Sequence, residues 1–206
     1  MKLNILALGA HPDDIEYGCG GSFLKFSRKG VKIYFMVLTK GEFGGETEVR
    51  QKEQEEAMKI LGIKKIFWGG YMDTELPNER IIITHIDEVI KKVNPDEIYV
   101  NYFDDIHQDH RILAKCTLAA TRYIKRVLFY EDYTSSNFEP DIFVDIEDVL
   151  EEKQKLIQVF SSQVVKTYPT KLDIVESVRA TANFRGFQGK VKYAEGFKAF
   201  RFLREI

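Results

Sequence analysis

The chain has 206 residues, of which 44% are hydrophobic and 30% are charged, a balance typical of a globular protein long enough for one ordinary core. Its formal net charge is −2, so the chain does not have the excess of basic residues expected of a protein that binds nucleic acid or anionic membranes. Its two cysteines cannot form a disulfide framework, and no apolar run approaches the ~20 residues of a membrane span, so we expect a cytoplasmic protein with reduced thiols.

The first predicted element is a short apolar strand that ends in polar side chains. Residues 3–9 are largely apolar, and Pro12 cannot continue a hydrogen-bond ladder, so the chain leaves the sheet there. The polar residues at this exit are His11, Asp13 and Asp14. Ligands of an open α/β sheet bind at the carboxyl ends of its strands, so this loop is a candidate site for a cation or for proton transfer.

A glycine-rich run at residues 18–21 then predicts a loop that leads into a helix over residues 22–29. Its spacing is not the G-x-G-x-x-G pattern of dinucleotide-binding folds, and the His-Pro-Asp-Asp run occupies the turn where a phosphate would lie. Nucleotide binding is therefore a weak alternative. We interpret the glycines as allowing the helix to approach the polar loop closely.

The middle of the chain alternates strands and helices. Apolar patterning predicts strands over 31–39, 63–68, 97–101 and 126–130, and helices over 47–62, 81–93 and 111–124. Arg50, beside the glycine-bearing loop 40–46, is a candidate substrate contact, and a surface ion pair with a nearby glutamate explains it equally well. Asp73 follows the third strand and is a candidate pocket residue. The lone His85 is interpreted as an ordinary helix residue.

The fourth strand ends in a second polar loop, residues 104–111, which contains His107, Asp109 and His110. Three of the four histidines of the chain thus lie in the two polar loops. Two histidines and one carboxylate form a common catalytic zinc set with one position open for water. Either loop alone fits an ordinary polar loop equally well, but together, each at the end of a strand, they predict a metal site.

The last third of the chain continues the alternation. Residues 141–146 and 193–202 predict strands, residues 147–160 and 171–184 predict helices, and residues 131–140 predict a long polar loop. There is no repeat, low-complexity tract or linker, so we expect a single domain over residues 1–206 with an α/β fold and a mostly parallel sheet.

The two loops, in this order and at this distance, resemble the signatures of the PIG-L/LmbE family of zinc-dependent N-acetylglucosamine (GlcNAc) deacetylases. The resemblance covers nearly the whole chain and implies a Rossmann-like sheet with helices on both faces. The sequence around Arg50, residues 160–163 and residues 193–197 look like the bacillithiol-pathway (BshB-type) branch, which acts on N-acetylglucosaminyl malate. Gln108 stands where many members have proline, and residues 131–140 match this branch less well, which leaves the exact substrate open.

The resemblance also implies a ligand set. By position, His11, Asp14 and His110 would bind Zn²⁺, or another divalent metal such as Fe²⁺. Arg50 and Asp73 would contact the sugar substrate.

The catalytic roles are carried over in the same way. Asp13 would be the general base, and His107, oriented by Asp109, would stabilise the oxyanion or protonate the leaving amine. Tyr193 would approach the oxyanion. Adjacent carboxylates such as those of Asp13 and Asp14 can face different ways on a turn, one toward a metal and one toward the attacking water, which is chemically consistent with these roles.

The leading interpretation is a hydrolase that removes the N-acetyl group from a small GlcNAc-containing molecule. A metallohydrolase of another small amide or ester and a non-catalytic metal- or nucleotide-binding α/β module remain open. The presence of Asp13 and His107 argues against the module, because neither is needed to hold a metal. The expected partner is a small sugar, without nucleic acid or membrane, and a homo-oligomer is consistent with relatives that form trimers or hexamers.

Overall fold

The computed structural model describes residues 3–166 and 171–204, so the predicted domain of residues 1–206 includes a few residues outside the described ones. Its strands are β1 (Asn4–Gly9), β2 (Lys32–Thr39), β3 (Lys65–Tyr71), β4 (Glu97–Asn101), β5 (Arg126–Tyr130), β6 (Ile142–Asp145) and β7 (Ala194–Phe202). They form one sheet in the order β3-β2-β1-β4-β5-β7-β6. Strands β1 to β5 are parallel, and β7 runs antiparallel to both β5 and β6. The predicted mostly parallel sheet is confirmed.

Helices cover both faces of the sheet, as predicted. They are α1 (Asp14–Arg28), α2 (Thr47–Leu61), α3 (Glu79–Val93), α4 (Gln108–Ala120), α5 (Leu150–Gln158), α6 (Ser161–Val164) and α7 (Ile174–Gly189), with short 3-10 turns at Glu42–Gly44 and Glu147–Val149. Ile5 and Ala7 of β1 pack into the core under α1, α2 and α5, whereas Leu6 and Leu8 pack under α3 and α4. Both faces of β1 are buried, and residues 5–8 accordingly form an unbroken apolar run.

The strand order brings the two polar loops together. From β1 the chain crosses through α1 to β2, and from the adjacent β4 it crosses through α4 to β5 on the other side. The two connections leave in opposite directions, so a crevice opens between the carboxyl ends of β1 and β4. Both predicted site loops follow these two strands directly.

Helix α1 begins eight residues earlier than predicted, and the glycine-rich run 18–21 lies inside it. A Cβ atom at Gly18 would collide with the ring of Tyr130, and one at Gly21 would lie 2.8 Å from the side chain of Ile146. The prediction of a loop was wrong because contacts with β5 and its surroundings stabilise a helix that glycine alone disfavours by roughly 1 kcal/mol per residue.

Two further boundaries differ from the prediction. Strand β3 continues through Gly69, where a Cβ atom would lie 2.5 Å from the carbonyl oxygen of Leu38. Helix α4 begins at Gln108, so His110 lies in its first turn. In the described ranges, no helix combines the length and the hydrophobicity needed to cross a membrane.

Candidate metal centre and active site

The loop after β1 is folded around the carboxylate of Asp14. Its Oδ2 accepts hydrogen bonds from the backbone N–H groups of Ala10 and His11, both at 2.9 Å, and from Asn101 Nδ2 at 3.3 Å. Asp13 precedes α1 with φ at 94°, in the left-handed region that costs a residue with a Cβ atom about 1 kcal/mol or more. This strained turn sends the Asp13 and Asp14 side chains in different directions.

The loop after β4 is folded around Asp105. One oxygen of this buried carboxylate accepts the backbone N–H of His107 at 2.8 Å, and the other accepts the Thr134 hydroxyl at 3.0 Å. That second oxygen also lies 3.2 Å from Nδ1 of His110. His107 precedes the first turn of α4 and His110 lies within it, so their rings stack with centroids 4.8 Å apart.

The three predicted metal ligands meet at one oxygen atom. Asp14 Oδ2 lies 3.6 Å from His11 Nδ1 and 3.3 Å from His110 Nε2. Among the described residues, the buried His110 Nε2 has no partner in hydrogen-bond geometry. An imidazole nitrogen of this kind, turned toward a carboxylate and a second imidazole, fits a divalent cation with histidine and carboxylate ligands.

The other nitrogens of these imidazoles are held by carboxylates. Asp105 holds His110 as described, and His11 Nε2 lies 3.1 Å from Asp73 Oδ1 and 3.4 Å from Asp109 Oδ2. Metal-binding histidines are commonly oriented by a carboxylate on the nitrogen that does not bind the metal. The carboxylates behind His11 and His110 are thus placed as they are around metal-binding histidines, and the role of His11, Asp14 and His110 as ligands stays a prediction.

The charge around this cluster also favours a cation. Burial alone lowers the pKa of His110, but Asp14 and the contact with Asp105 outweigh it and raise that pKa to about 10. His11 behaves in the same way, since the charge of Asp14 offsets its burial and its pKa is raised. A field that draws a proton onto an imidazole also draws a divalent ion.

More carboxylates than the predicted set surround the cluster. The described residues contain three overlapping groups with ligand atoms within 4.8 Å of one another: His11, His107 and His110; His11, Asp73 and Asp109; and Asp14, His110 and Asp132. Sequence analysis did not single out Asp132 or Asp105. Asp132 is the second residue after β5, so the rule that polar residues at the carboxyl ends of parallel strands converge could have found it.

Arg50 is buried, so the alternative of a surface ion pair is wrong. Its guanidinium donates to the carbonyl oxygen of Pro12 at 2.6 Å and to that of Gly41 at 3.2 Å, and it lies 3.4 Å from Asp13 Oδ1. Arg50 thus joins the loop after β1 to the loop after β2. Burial raises the pKa of Asp13 to about 6, against the Arg50 charge that lowers it.

Asp109 contacts His107 through its backbone and not through its carboxylate. Its N–H donates to His107 Nδ1 at 3.3 Å, while its Oδ2 accepts the backbone N–H of Thr74 at 2.9 Å and faces His11. A hydrogen bond to Nδ1 leaves His107 Nε2 as the nitrogen that carries the proton. Orientation of His107 by Asp109 remains a prediction, now with the backbone as the contact.

A cavity of about 200 Å³ lies over the cluster. The predicted residues that line it are His11, Asp13, Asp14, Arg50, Asp73, His107 and His110. The other described residues on its wall include Gln163, from the stretch 160–163 that resembles the bacillithiol-type branch, and Lys166, which sequence analysis did not single out.

Tyr193 does not line this cavity, and its hydroxyl instead accepts a hydrogen bond from Arg179 at 3.0 Å. It precedes β7 and packs in the core beneath α1. The tyrosine on the cavity wall is Tyr133, in the loop after β5. Tyr193 is thus not among the described residues at the cavity, so this geometry does not support its approach to the oxyanion, which stays a prediction.

Known proteins match this chain in sequence and in fold. Residues 6–121, which include both loops, match the family model described as PIG-L, GlcNAc-PI de-N-acetylase. The chain is 34% identical to the uncharacterized deacetylase YaiS of Escherichia coli, over 71% of this chain and 84% of that protein.

A solved structure of similar shape is N,N'-diacetylchitobiose deacetylase from Pyrococcus horikoshii in complex with an inhibitor, at a TM-score of 0.82 and 27% identity, covering 96% of this chain and 83% of that one. A probable N-acetyl-alpha-D-glucosaminyl L-malate deacetylase 2 of Bacillus cereus is 26% identical over 79% of this chain and 84% of that protein. The chain is thus about as similar to a diacetylchitobiose deacetylase as to an N-acetylglucosaminyl malate deacetylase. The comparisons therefore do not select the bacillithiol-type branch, which stays a prediction.

Proposed function

Because this chain belongs to the PIG-L family of de-N-acetylases, we propose that it is a metal-dependent hydrolase that removes the N-acetyl group from a small GlcNAc-containing molecule. The observation that carries the proposal is the position of Asp14 Oδ2 between the imidazoles of His11 and His110. Asp13 and His107 line the same cavity. Amide hydrolysis needs an activated water, a polarised carbonyl group and a proton for the departing nitrogen.

We assign the metal site to His11, Asp14 and His110, with Zn²⁺ as the proposed ion and Fe²⁺ as the alternative, since both accept two imidazoles and one carboxylate. A divalent ion bound there would polarise the amide carbonyl and lower the pKa of a bound water toward about 7. Asp73 and Asp105 hold the histidines in place through their other nitrogens.

In the proposed reaction Asp13 accepts the proton of the attacking water. Its side chain lines the cavity and faces Arg50, not the histidines that surround Asp14. The carboxylate is therefore free of the ligand set and close to it, which is what a general base requires.

His107 is assigned to the other end of the reaction. The backbone N–H of Asp109 occupies its Nδ1, so Nε2 is the nitrogen that donates to the developing oxyanion or to the leaving amine. Arg50 holds the loop that carries Asp13, so its proposed contact with substrate is combined with a positioning role.

The test is amine release from a panel of N-acetylated sugars by protein of known metal content. We expect release from at least one of N-acetylglucosaminyl malate, GlcNAc and diacetylchitobiose, and loss of release after chelation that is restored by Zn²⁺ or Fe²⁺. Hydrolysis of simple esters or non-sugar amides, with every GlcNAc compound intact, would favour the alternative metallohydrolase. Homo-oligomerisation and a cytoplasmic location stay predictions.

A further inference from the structure

A second cavity of about 320 Å³ opens beside the metal cavity and shares Tyr133, Thr134 and Gln163 with it as common walls. We call it the side groove. Its other walls include Ile106, from the loop after β4, and Leu172, just before α7. The side chains of these two residues are 73% and 68% exposed. Large aliphatic side chains are thus presented to solvent directly beside the proposed reaction centre.

The polar side chains of the side groove already have partners within the protein. The Thr134 hydroxyl donates to Asp105 Oδ2 at 3.0 Å, and Gln163 Nε2 donates to a backbone carbonyl oxygen at 3.2 Å. Asp173 Oδ1 accepts N–H groups of the first turn of α7, and the Ser177 hydroxyl donates to a carbonyl in the same helix at 2.7 Å. What the groove offers a ligand is therefore mainly apolar surface.

We propose that the side groove binds an apolar aglycone of the substrate, an alkyl or aryl group carried on the anomeric oxygen of the GlcNAc unit. The inference rests on the proposed function. A cavity of about 200 Å³ is smaller than the ~300 Å³ at which small-molecule sites begin, whereas the side groove by itself reaches that size. A sugar at the metal cavity thus has apolar surface within reach, continuous with its own site.

The aglycone, and not the acyl group, is the occupant for a chemical reason. The acetyl carbonyl must lie at the proposed metal ligands, and beyond it the acetyl group carries only a methyl, which needs no groove. The part of the substrate that extends from the cavity is the sugar ring and what is attached to it. The wall that both cavities share is joined to the metal cluster by the hydrogen bond from Thr134 to Asp105.

The first experiment measures kcat/KM for deacetylation of the methyl, butyl and hexyl β-glycosides of GlcNAc by the metal-loaded protein. Complete burial of one methylene corresponds to about a fourfold gain. Because the groove is partly open, we expect a gain of at least about tenfold from methyl to hexyl. Turnover of the methyl glycoside with no dependence on chain length would overturn the groove while leaving the proposed function intact.

The second experiment uses the double variant I106S/L172S. Removal of the two aliphatic walls should flatten the dependence on chain length. The matched control is Phe187→Ser on α7, because Phe187 is 77% exposed and does not line either cavity. The control should keep the full gain. An unchanged gain in the double variant would contradict the assignment.

The third experiment separates the groove from catalysis. Hexyl β-D-glucoside has no amide, so calorimetric titration of it into metal-free protein reports binding alone. We expect binding by the native protein and by Phe187→Ser, and none by the double variant. Native protein that binds this probe yet deacetylates no GlcNAc glycoside would refute the proposed function and leave the groove only as an apolar binding site. Absence of binding would refute the groove.

Two further measurements test other occupants of the groove. If kcat/KM rises with acyl length across N-acetyl, N-butyryl and N-hexanoyl glucosamine methyl glycosides, and not with aglycone length, the groove holds the acyl group and the proposal is wrong. If the double variant changes the sedimentation coefficient of the protein and the control does not, the surface is a contact between copies of the chain, which equally overturns the proposal.

Discussion

Two of the clusters of buried charged side chains in the described part of the chain are balanced differently. Beneath α1, Glu195 lies 2.6 Å from Lys153 Nζ and accepts the backbone N–H groups of Gly21 and Ser22, each at 2.7 Å. Both charged side chains are buried, and each has its counterion within the protein. At the proposed metal centre, carboxylates outnumber the side chains with a permanent positive charge. Six aspartates lie around its three imidazoles and the buried Arg50: Asp13, Asp14, Asp73, Asp105, Asp109 and Asp132.

The difference separates a structural cluster from a ligand-binding one. A buried ion pair with satisfied hydrogen bonds needs nothing from outside, although each partner becomes costly when the other is removed. A surplus of buried carboxylates is stable only with protons or a cation to offset it. The comparison therefore predicts that mutations in the first cluster reduce stability, whereas mutations in the second reduce metal binding and catalysis.

The largest effect is expected for His110→Ala, which removes a proposed ligand. Loss of the metal removes several kcal/mol of transition-state stabilisation, so kcat should fall on the order of 10⁴-fold or more. Metal content measured by mass spectrometry should fall from about one ion per chain to near zero, while circular dichroism still shows the folded α/β protein. Full metal occupancy in the folded variant would remove His110 from the ligand set.

Asp13→Asn separates proton acceptance from metal binding within the metal centre. The variant should keep its metal and its fold and lose the group that accepts the proton of water, so kcat should fall by ~10²–10⁴-fold. Rates and metal content are measured on the same preparation. Near-normal kcat with the metal bound would show that another group is the base.

Lys153→Met tests the balanced cluster. It leaves Glu195 charged and buried, so the free energy of unfolding in urea should fall by about 3–5 kcal/mol. Metal content and kcat per folded molecule should not change. The control is Arg28→Gln, which breaks the exposed pair of Arg28 and Glu152 and should cost less than about 1 kcal/mol. If both variants lost the same free energy of unfolding, burial of the Lys153–Glu195 pair would not be the cause of the loss.

His107→Gln concerns a group at the metal centre that is not a proposed ligand. Loss of one donor to a developing oxyanion typically costs ~10²–10³-fold, and glutamine retains some capacity to donate, so we expect kcat to fall by about 10²-fold with metal content intact. Loss of the metal in this variant would instead place His107 among the ligands. The structure permits this, because ligand atoms of His11, His107 and His110 lie within 4.8 Å of one another.

The smallest effect is expected for Asp105→Asn, which weakens the contact that orients His110. Such changes typically lower metal affinity by about 10- to 100-fold. Competition with a chelator of known affinity measures the change. Asp104→Asn is the matched control, because Asp104 precedes Asp105 and lies on the exposed side of the loop, where its carboxylate accepts a hydrogen bond from Asn137. An equal loss in both variants would argue against orientation by Asp105.

Much of the site could be predicted because it depends on local rules. Apolar runs ended by Pro12 and by the residues after Asn101 mark the strand exits, and parallel strands deliver their carboxyl ends to one edge. Those rules sufficed to bring the two polar loops together, whereas the choice of His11, Asp14 and His110 as ligands came from the family resemblance. They did not find Asp132, although it obeys the same rule, because a single aspartate after a strand carries little information on its own.

The sequence by itself determined the alternation of strands and helices, the positions of both polar loops and the residue types at the proposed centre, since periodicity and turn chemistry act over short distances. Only the tertiary structure decided that Gly18, Gly20 and Gly21 are helical, because Tyr130, Leu156 and Ile146 occupy the space that side chains at these positions would fill. It also decided that Arg50 is buried and that Tyr193 points into the core. These outcomes depend on contacts between segments distant in the chain, for which no local pattern exists.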